Sequence, residues 1–163
     1  MRALVHADGR LVFAGRIFRA ALGRGGVQAD KQEGDGATPA GLLPLRRVLY
    51  RADRVTPPDC AVPLEPIAPD DGWCDDPTNA DYNRKLRLPH EARHEELWRS
   101  DTLYDIVGVL GWNDNPVQRQ RGSAIFLHVA RADFAPTEGC IALQIDDLRH
   151  LLSAGLTEVM VGS

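Results

Sequence analysis

The sequence predicts a mainly β protein with one or two short helices, in a single domain over residues 1–163. Three observations carry this. Asp8-Gly9 separates two short apolar runs, a strong hairpin signal. Residues 101–112 and 123–130 are dense apolar runs joined by the turn "NDNPVQRQRG". Glycine (15) and proline (11) are slightly frequent, as suits a loop-rich fold.

The elements follow in order. Residues 2–7 and 10–14 form the hairpin, and residues 16–22 a third strand. The polar, glycine-rich stretch 23–41 reads as a long ordered loop, a kind of segment that often carries function. It holds no phosphate-cradle pattern. Residues 42–55 read as a strand. Residues 56–89 are proline-rich and read as an irregular excursion, with "CAVPLEPI" at best a short edge strand. Residues 90–101 have helical character, with Leu97 and Trp98 as the buried side. The two apolar strands come next and should form the core. "DDLRHLLSAG" predicts an amphipathic helix ending at Gly155, and "LTEVMVG" a last strand.

The totals exclude several function classes. A chain of this length buries roughly 70% of its unfolded surface, so it needs no disulfide staples. The net charge of −4 and the lack of a basic run argue against nucleic acid and anionic membranes. No segment approaches the roughly 18 apolar residues of a membrane span. Arg2 could open a signal-peptide n-region, but no apolar run follows before Asp8 and Gly9. As written, the chain shows no export signal.

Three cysteines, Cys60, Cys74 and Cys140, match no zinc spacing, and their odd number leaves at least one thiol free unless it pairs between chains. Cys74 is crowded by carboxylates, which oppose thiolate formation. "HEARH" (90–94) matches H-E-x-x-H, which on a helix puts two histidines on one face beside Glu91. The segment is short and heavily charged, and no third ligand is evident. A solvated helix face is the plainer reading.

"FLHVARADFAPTEGCIAL" (126–143) is the better candidate. Thiol catalysis needs a base within reach and backbone N–H groups aimed at the oxyanion. His128 lies near the end of an apolar strand, which would hold an imidazole rigidly. Gly139 permits a tight turn ahead of Cys140. The alternative is a packed histidine and a buried cysteine acting as a small hydrophobe.

This stretch resembles the catalytic signature of the L,D-transpeptidases of YkuD type: a histidine ending a strand, a loop, then Ser/Thr-x-Gly-Cys. "EGDGATPAGLLPL" resembles the family's upstream Thr-Pro-x-Gly segment. "DDGWCDDP", "DYNRKLRLP" and "GSAIFLHVA" resemble a bacterial subgroup. The resemblance runs from about residue 9 to 161. It implies a mainly β, sandwich-like domain at the cell envelope, with a cytosolic enzyme trimming recycled wall peptides as the alternative that the missing export signal leaves open. It also implies acyl transfer on peptidoglycan stem peptides, with no cofactor and no metal. Cys140 would be the nucleophile and His128 the base, held by a backbone carbonyl near Val129. The amides of Gly139 and Cys140 would be the oxyanion donors. Thr137 would shape the turn and touch substrate. Glu138 stands where the family has histidine, and is expected to point outward or bind an acceptor amine. Ala142 replaces the family's polar residue two positions after the cysteine, and the His-to-Cys loop is shorter. Arg131 is a candidate for a substrate carboxylate, with a surface ion pair as the alternative. Asp75, Tyr82 and Asn83 are candidates to wall the cleft, with turn chemistry as theirs. Trp73 is expected in the core. The competing functions are a carboxypeptidase or thiol amidase on wall-derived peptides, a silent binding domain of the same fold, and a zinc hydrolase at His90 and His94.

Overall fold

Side-chain alternation sets the first elements. β1 (Arg2–Val5) turns Ala3 and Val5 inward, and β2 (Arg10–Phe13) does the same with Leu11 and Phe13. The expected turn brings Leu4 opposite Val12. Asp8 Oδ1 accepts the Arg10 N–H at 3.0 Å and braces the turn. The computed structural model describes residues 1–162. β3 (Arg16–Ala21) continues the meander.

The glycine-rich stretch is not all loop: β4 (Val27–Gln28) and β5 (Thr38–Pro39) pair in parallel within it. β6 (Gly41–Tyr50) is long and serves both layers of the fold. Its first residues pair with β14 (Glu158–Val161), and residues from Leu45 to Tyr50 pair with β11 (Ile106–Leu110). β7 (Leu64–Pro66) lies along the end of β6 as an edge strand, inside the segment expected to supply one. β12 (Phe126–Val129) joins β11, and β13 (Ile141–Leu143) runs parallel to β12 and meets β3. β1 pairs in parallel with β14. The ladder therefore closes on itself: β6, β11, β12, β13, β3, β2, β1, β14 and back to β6.

α1 (Ile145–Ser153) buries Leu148, Leu151 and Leu152, spaced to fall on one face, into the main core. It ends as its sequence predicts. Gly155 sits at φ +93, and the Leu156 N–H reaches Leu151 O at 3.1 Å in a Schellman motif. α1 is the single α-helix among the described residues, and the fold is mainly β. No helix there is long and apolar enough to cross a membrane.

Residues 90–101 correct a sequence expectation. They form no helix. β8 (Asp71–Cys74), β9 (Lys85–Arg87) and β10 (His94–Glu96) make a small separate sheet in which Glu95 lies opposite Trp73. Pairing with β8 satisfies the backbone of this charged segment and overrides its modest helical propensity. Leu97 is buried as expected, but from the end of a strand.

Candidate active site

Parallel pairing of β12 and β13 sets Leu127 opposite Ile141 and His128 opposite Ala142. Side chains alternate along strands, so Leu127, Val129, Ile141 and Leu143 enter the main core. Phe126, His128, Cys140 and Ala142 face the other way. There Cys140 and Phe126 join a second cluster with Trp73, Leu97 and Tyr104. Edge-on contacts lock this floor: Trp73 meets Phe126 at 5.1 Å between centroids, and Tyr104 meets His128 at 5.4 Å.

The polar atoms are placed with equal definition. The His128 Nδ1–H donates to Val129 O at 2.9 Å. A carbonyl only accepts, so Nδ1 carries the proton and Nε2 is left as the basic nitrogen. The Cys140 thiol donates to Ala124 O at 3.2 Å and receives the Phe126 N–H at 3.4 Å.

The turn before the cysteine is tied from three sides. Thr137 Oγ1 donates to Cys140 O at 2.6 Å and accepts the Gly139 N–H at 3.1 Å. Its backbone bridges to residues 22–24 after β3. Gly139 adopts φ +135, and a Cβ there would sit 2.7 Å from Ala37 O. Gly139→Ala should therefore cost at least about 2 kcal/mol from strain and overlap. Thermal unfolding of the variant checks this; an unchanged midpoint would show that the turn does not need glycine.

Burial dominates the electrostatics. It pushes the His128 imidazole down to about 4 and the Cys140 thiol up to about 12, the latter with help from the Glu95 carboxylate. The Phe126 N–H and the Lys31 ammonium pull the thiol back. Glu138 contributes least. The resting pair is thus neutral thiol and neutral imidazole. Both line a cavity of about 460 Å³ walled by the 31–36 loop, β10 and the 135–138 segment.

A family model for the L,D-transpeptidase catalytic domain, YkuD, matches residues 2–161. The chain belongs to the YkuD family. Its strand histidine and its Thr-x-Gly-Cys turn are the stretch in which the likeness was first legible. Solved structures similar to this YkuD chain include the helical cell shape determining protein Pgp2 from Campylobacter jejuni. That likeness has 15% identity, a TM-score of 0.49, and covers 99% of this chain and 47% of that one. A mutant of the same Pgp2 protein follows at 15% identity and a TM-score of 0.47, covering 99% and 46%. The chain spans about half the length of these structures. No match was found among curated proteins.

Within this YkuD domain the structure gathers most of the residues singled out from sequence. Arg131, Thr137, Glu138 and Asp75 line the same cavity as His128 and Cys140. The Glu138 carboxylate is exposed and paired with Arg24, so it points outward. Arg131 is exposed and makes no ion pair among the described residues. Asp75 pairs with Arg93 at 3.2 Å. Tyr82 and Asn83 are buried behind the wall and do not line the cavity. Tyr82 donates to Glu33 Oε1 at 2.7 Å, and Asn83 bonds to Trp73, Trp112, Asn113 and Ala124. Trp73 packs in the core as expected.

Several cavity residues were not legible: Lys31, Glu33, Glu95, Arg99 and Tyr104. Glu95 reaches the cavity from strand β10, a placement that a helix over residues 90–101 does not predict. His90 and His94 share no helix face. His90 Nε2 meets Asp81 Oδ2 at 3.1 Å, while His94 Nδ1 donates to Ala92 O at 2.7 Å. Among the described residues no His, Cys, Asp and Glu group is arranged to hold a metal ion.

Proposed function

We propose that this domain is a cysteine acyltransferase acting on peptidoglycan stem peptides. One observation carries the reading: Cys140 and His128 share one cavity face, and the imidazole is oriented with Nε2 as its basic nitrogen. Family membership supplies the substrate class.

The steps follow from the neutral resting pair. His128 Nε2 takes the thiol proton as sulfur attacks the carbonyl of the third stem residue. The oxyanion is met by the Cys140 N–H, because the Gly139 N–H is held by Thr137 Oγ1. The intermediate collapses, the C–N bond breaks, and the imidazolium protonates the departing D-alanine amine. A thioester remains. An acceptor amine then attacks it, giving its proton to His128, and the C–S bond breaks. The thiolate recovers the proton. Water in place of the amine gives a carboxypeptidase.

The test is incubation with a stem tetrapeptide, following D-alanine release and the mass of the protein. Release together with an acyl adduct on Cys140 is expected, and added amine should divert product from hydrolysis to cross-link. The absence of both release and adduct would sink the reading. A pH profile probes the base. The basic form of His128 exists above its pKa, and burial lowers that pKa to about 4. The acid limb of kcat/KM should therefore fall near pH 4 rather than near the ordinary imidazole value of about 6.5. A limb near the ordinary value would place the essential base elsewhere.

A further inference from the structure

Among the described residues Glu95 is a carboxylate without an ion-pair partner. It lines the cavity together with Cys140. Its Oε1 accepts the Tyr104 O–H at 2.7 Å. No ammonium or guanidinium among the described residues forms an ion pair with it, although three cations line the same space. Lys31 is committed to Asp35 at 2.5 Å. Arg99 holds Asp101 at 2.7 Å and lies over the Tyr104 ring. Arg131 pairs with no acid among the described residues. The other acids lining this space, Glu33, Asp75 and Glu138, carry like charge, and of these Asp75 and Glu138 are paired with Arg93 and Arg24.

A desolvated carboxylate is normally paired or neutralised. Resting on the function proposed above, we infer that Glu95 is the receptor for a primary ammonium group on the bound peptide, and that seating this ammonium readies the Cys140 thiol for ionisation. The ammonium supplies a direct counter-charge, where the protein offers only the field of the Arg99 guanidinium, itself bound to Asp101. It also cancels the negative charge that opposes a thiolate in the same cavity. Burial raises the Glu95 pKa in the empty site, and the same carboxylate raises that of Cys140. Both effects weaken once a cation arrives. The nucleophile is thus held back until a correctly charged peptide is in place. Tyr104 links the two ends, since its hydroxyl holds Glu95 while its ring packs against His128 in a T-shaped contact.

The experiment separates binding from turnover. A stem tetrapeptide with a free side-chain ammonium on its third residue, and the same peptide N-acetylated there, are titrated calorimetrically into Cys140→Ala and Cys140→Ala/Glu95→Gln proteins. Acetylation should weaken binding to Cys140→Ala about tenfold or more. The glutamine should erase that preference and leave the acetylated peptide's affinity unchanged. In parallel, Glu95→Gln in the otherwise native chain should speed carbamidomethylation of Cys140 by iodoacetamide at neutral pH, read on the Cys140 peptide by mass spectrometry. Equal binding of both peptides, equal losses for both on Glu95→Gln, or unaltered alkylation would overturn the inference. If binding behaves as expected but the wild type releases no D-alanine, the acyl-transfer reading fails and the receptor stands. If D-alanine is released equally from both peptides, the reverse holds.

Discussion

Cys140→Ala should lower D-alanine release at least about 10⁴-fold while leaving the fold intact, the largest kinetic effect expected in the molecule. The sulfur is the atom that would carry the acyl group, and no other side chain can inherit that task. Cys74 is buried in a different cluster, and Cys60 bonds to Val62 O at 3.2 Å on another part of the chain. Stability should change little. The substitution removes one sulfur atom and leaves the Phe126 N–H and Ala124 O without that partner, at a cost within about 2 kcal/mol. Cys140→Ser is the finer probe, because it keeps a donor toward Ala124 O while exchanging a good nucleophile for a poor one at neutral pH. Rates and melting curves on the three proteins check the expectation. Retained activity in the alanine variant would remove Cys140 from the mechanism.

Asn83→Ala should bring the largest loss of stability, about 3–5 kcal/mol. The Asn83 side chain closes four hydrogen bonds. Its Oδ1 accepts from Trp73 Nε1 and from the Ala124 N–H, both at 3.0 Å. Its Nδ2 donates to Trp112 O at 2.9 Å and Asn113 O at 2.8 Å. Truncation strands two donors and two carbonyls in a buried site. The backbone at φ +56 adds to the cost, since asparagine tolerates that region better than alanine. For a chain of this size the melting temperature should fall by about 10 °C or more. The loss should also reach the chemistry. Ala124 is held by Asn83 on its N–H and receives the Cys140 thiol on its carbonyl. Asn83→Asp keeps Oδ1 but loses both N–H donors, and should fall between the two. Calorimetric unfolding with a parallel rate measurement decides; a variant as stable as the wild type would show that water replaces the side chain.

Most of the ladder could be read from local pattern. The Asp8-Gly9 hairpin and the Gly155 stop are written in turn chemistry and period, which depend on near neighbours. His128 and Cys140 were legible because strand, loop and turn lie in one short stretch. Their shared face follows from β12 and β13 running parallel. The small sheet of β8, β9 and β10 was not legible. Its strands are short and lie among prolines and charges, so each exists because of the pairing and not because of its own residues. The spacing of "HEARH" and of Leu97 and Trp98 fits a helix as well as a strand, and tertiary pairing decided. Glu95 owes its place in the cavity to that pairing. Glu138 illustrates a different limit. Its partner Arg24 lies 114 residues away, and nothing near Glu138 announces it. Asn83 announced its turn-forming backbone but not its four partners.

The closure of the strand ladder bears on how the chain reaches this state. β1 and β14 are neighbours in the ring, and Arg2 meets Glu158 across 156 residues of sequence. That contact can form only after β14 has been synthesised. Until then β1 and β6 each present an unpaired edge, and the inward side chains of the meander lack the strand that covers them. The contacts that complete the core are therefore among the most distant in sequence, a topology that folds slowly and late and leaves apolar surface open to wrong partners in the interval.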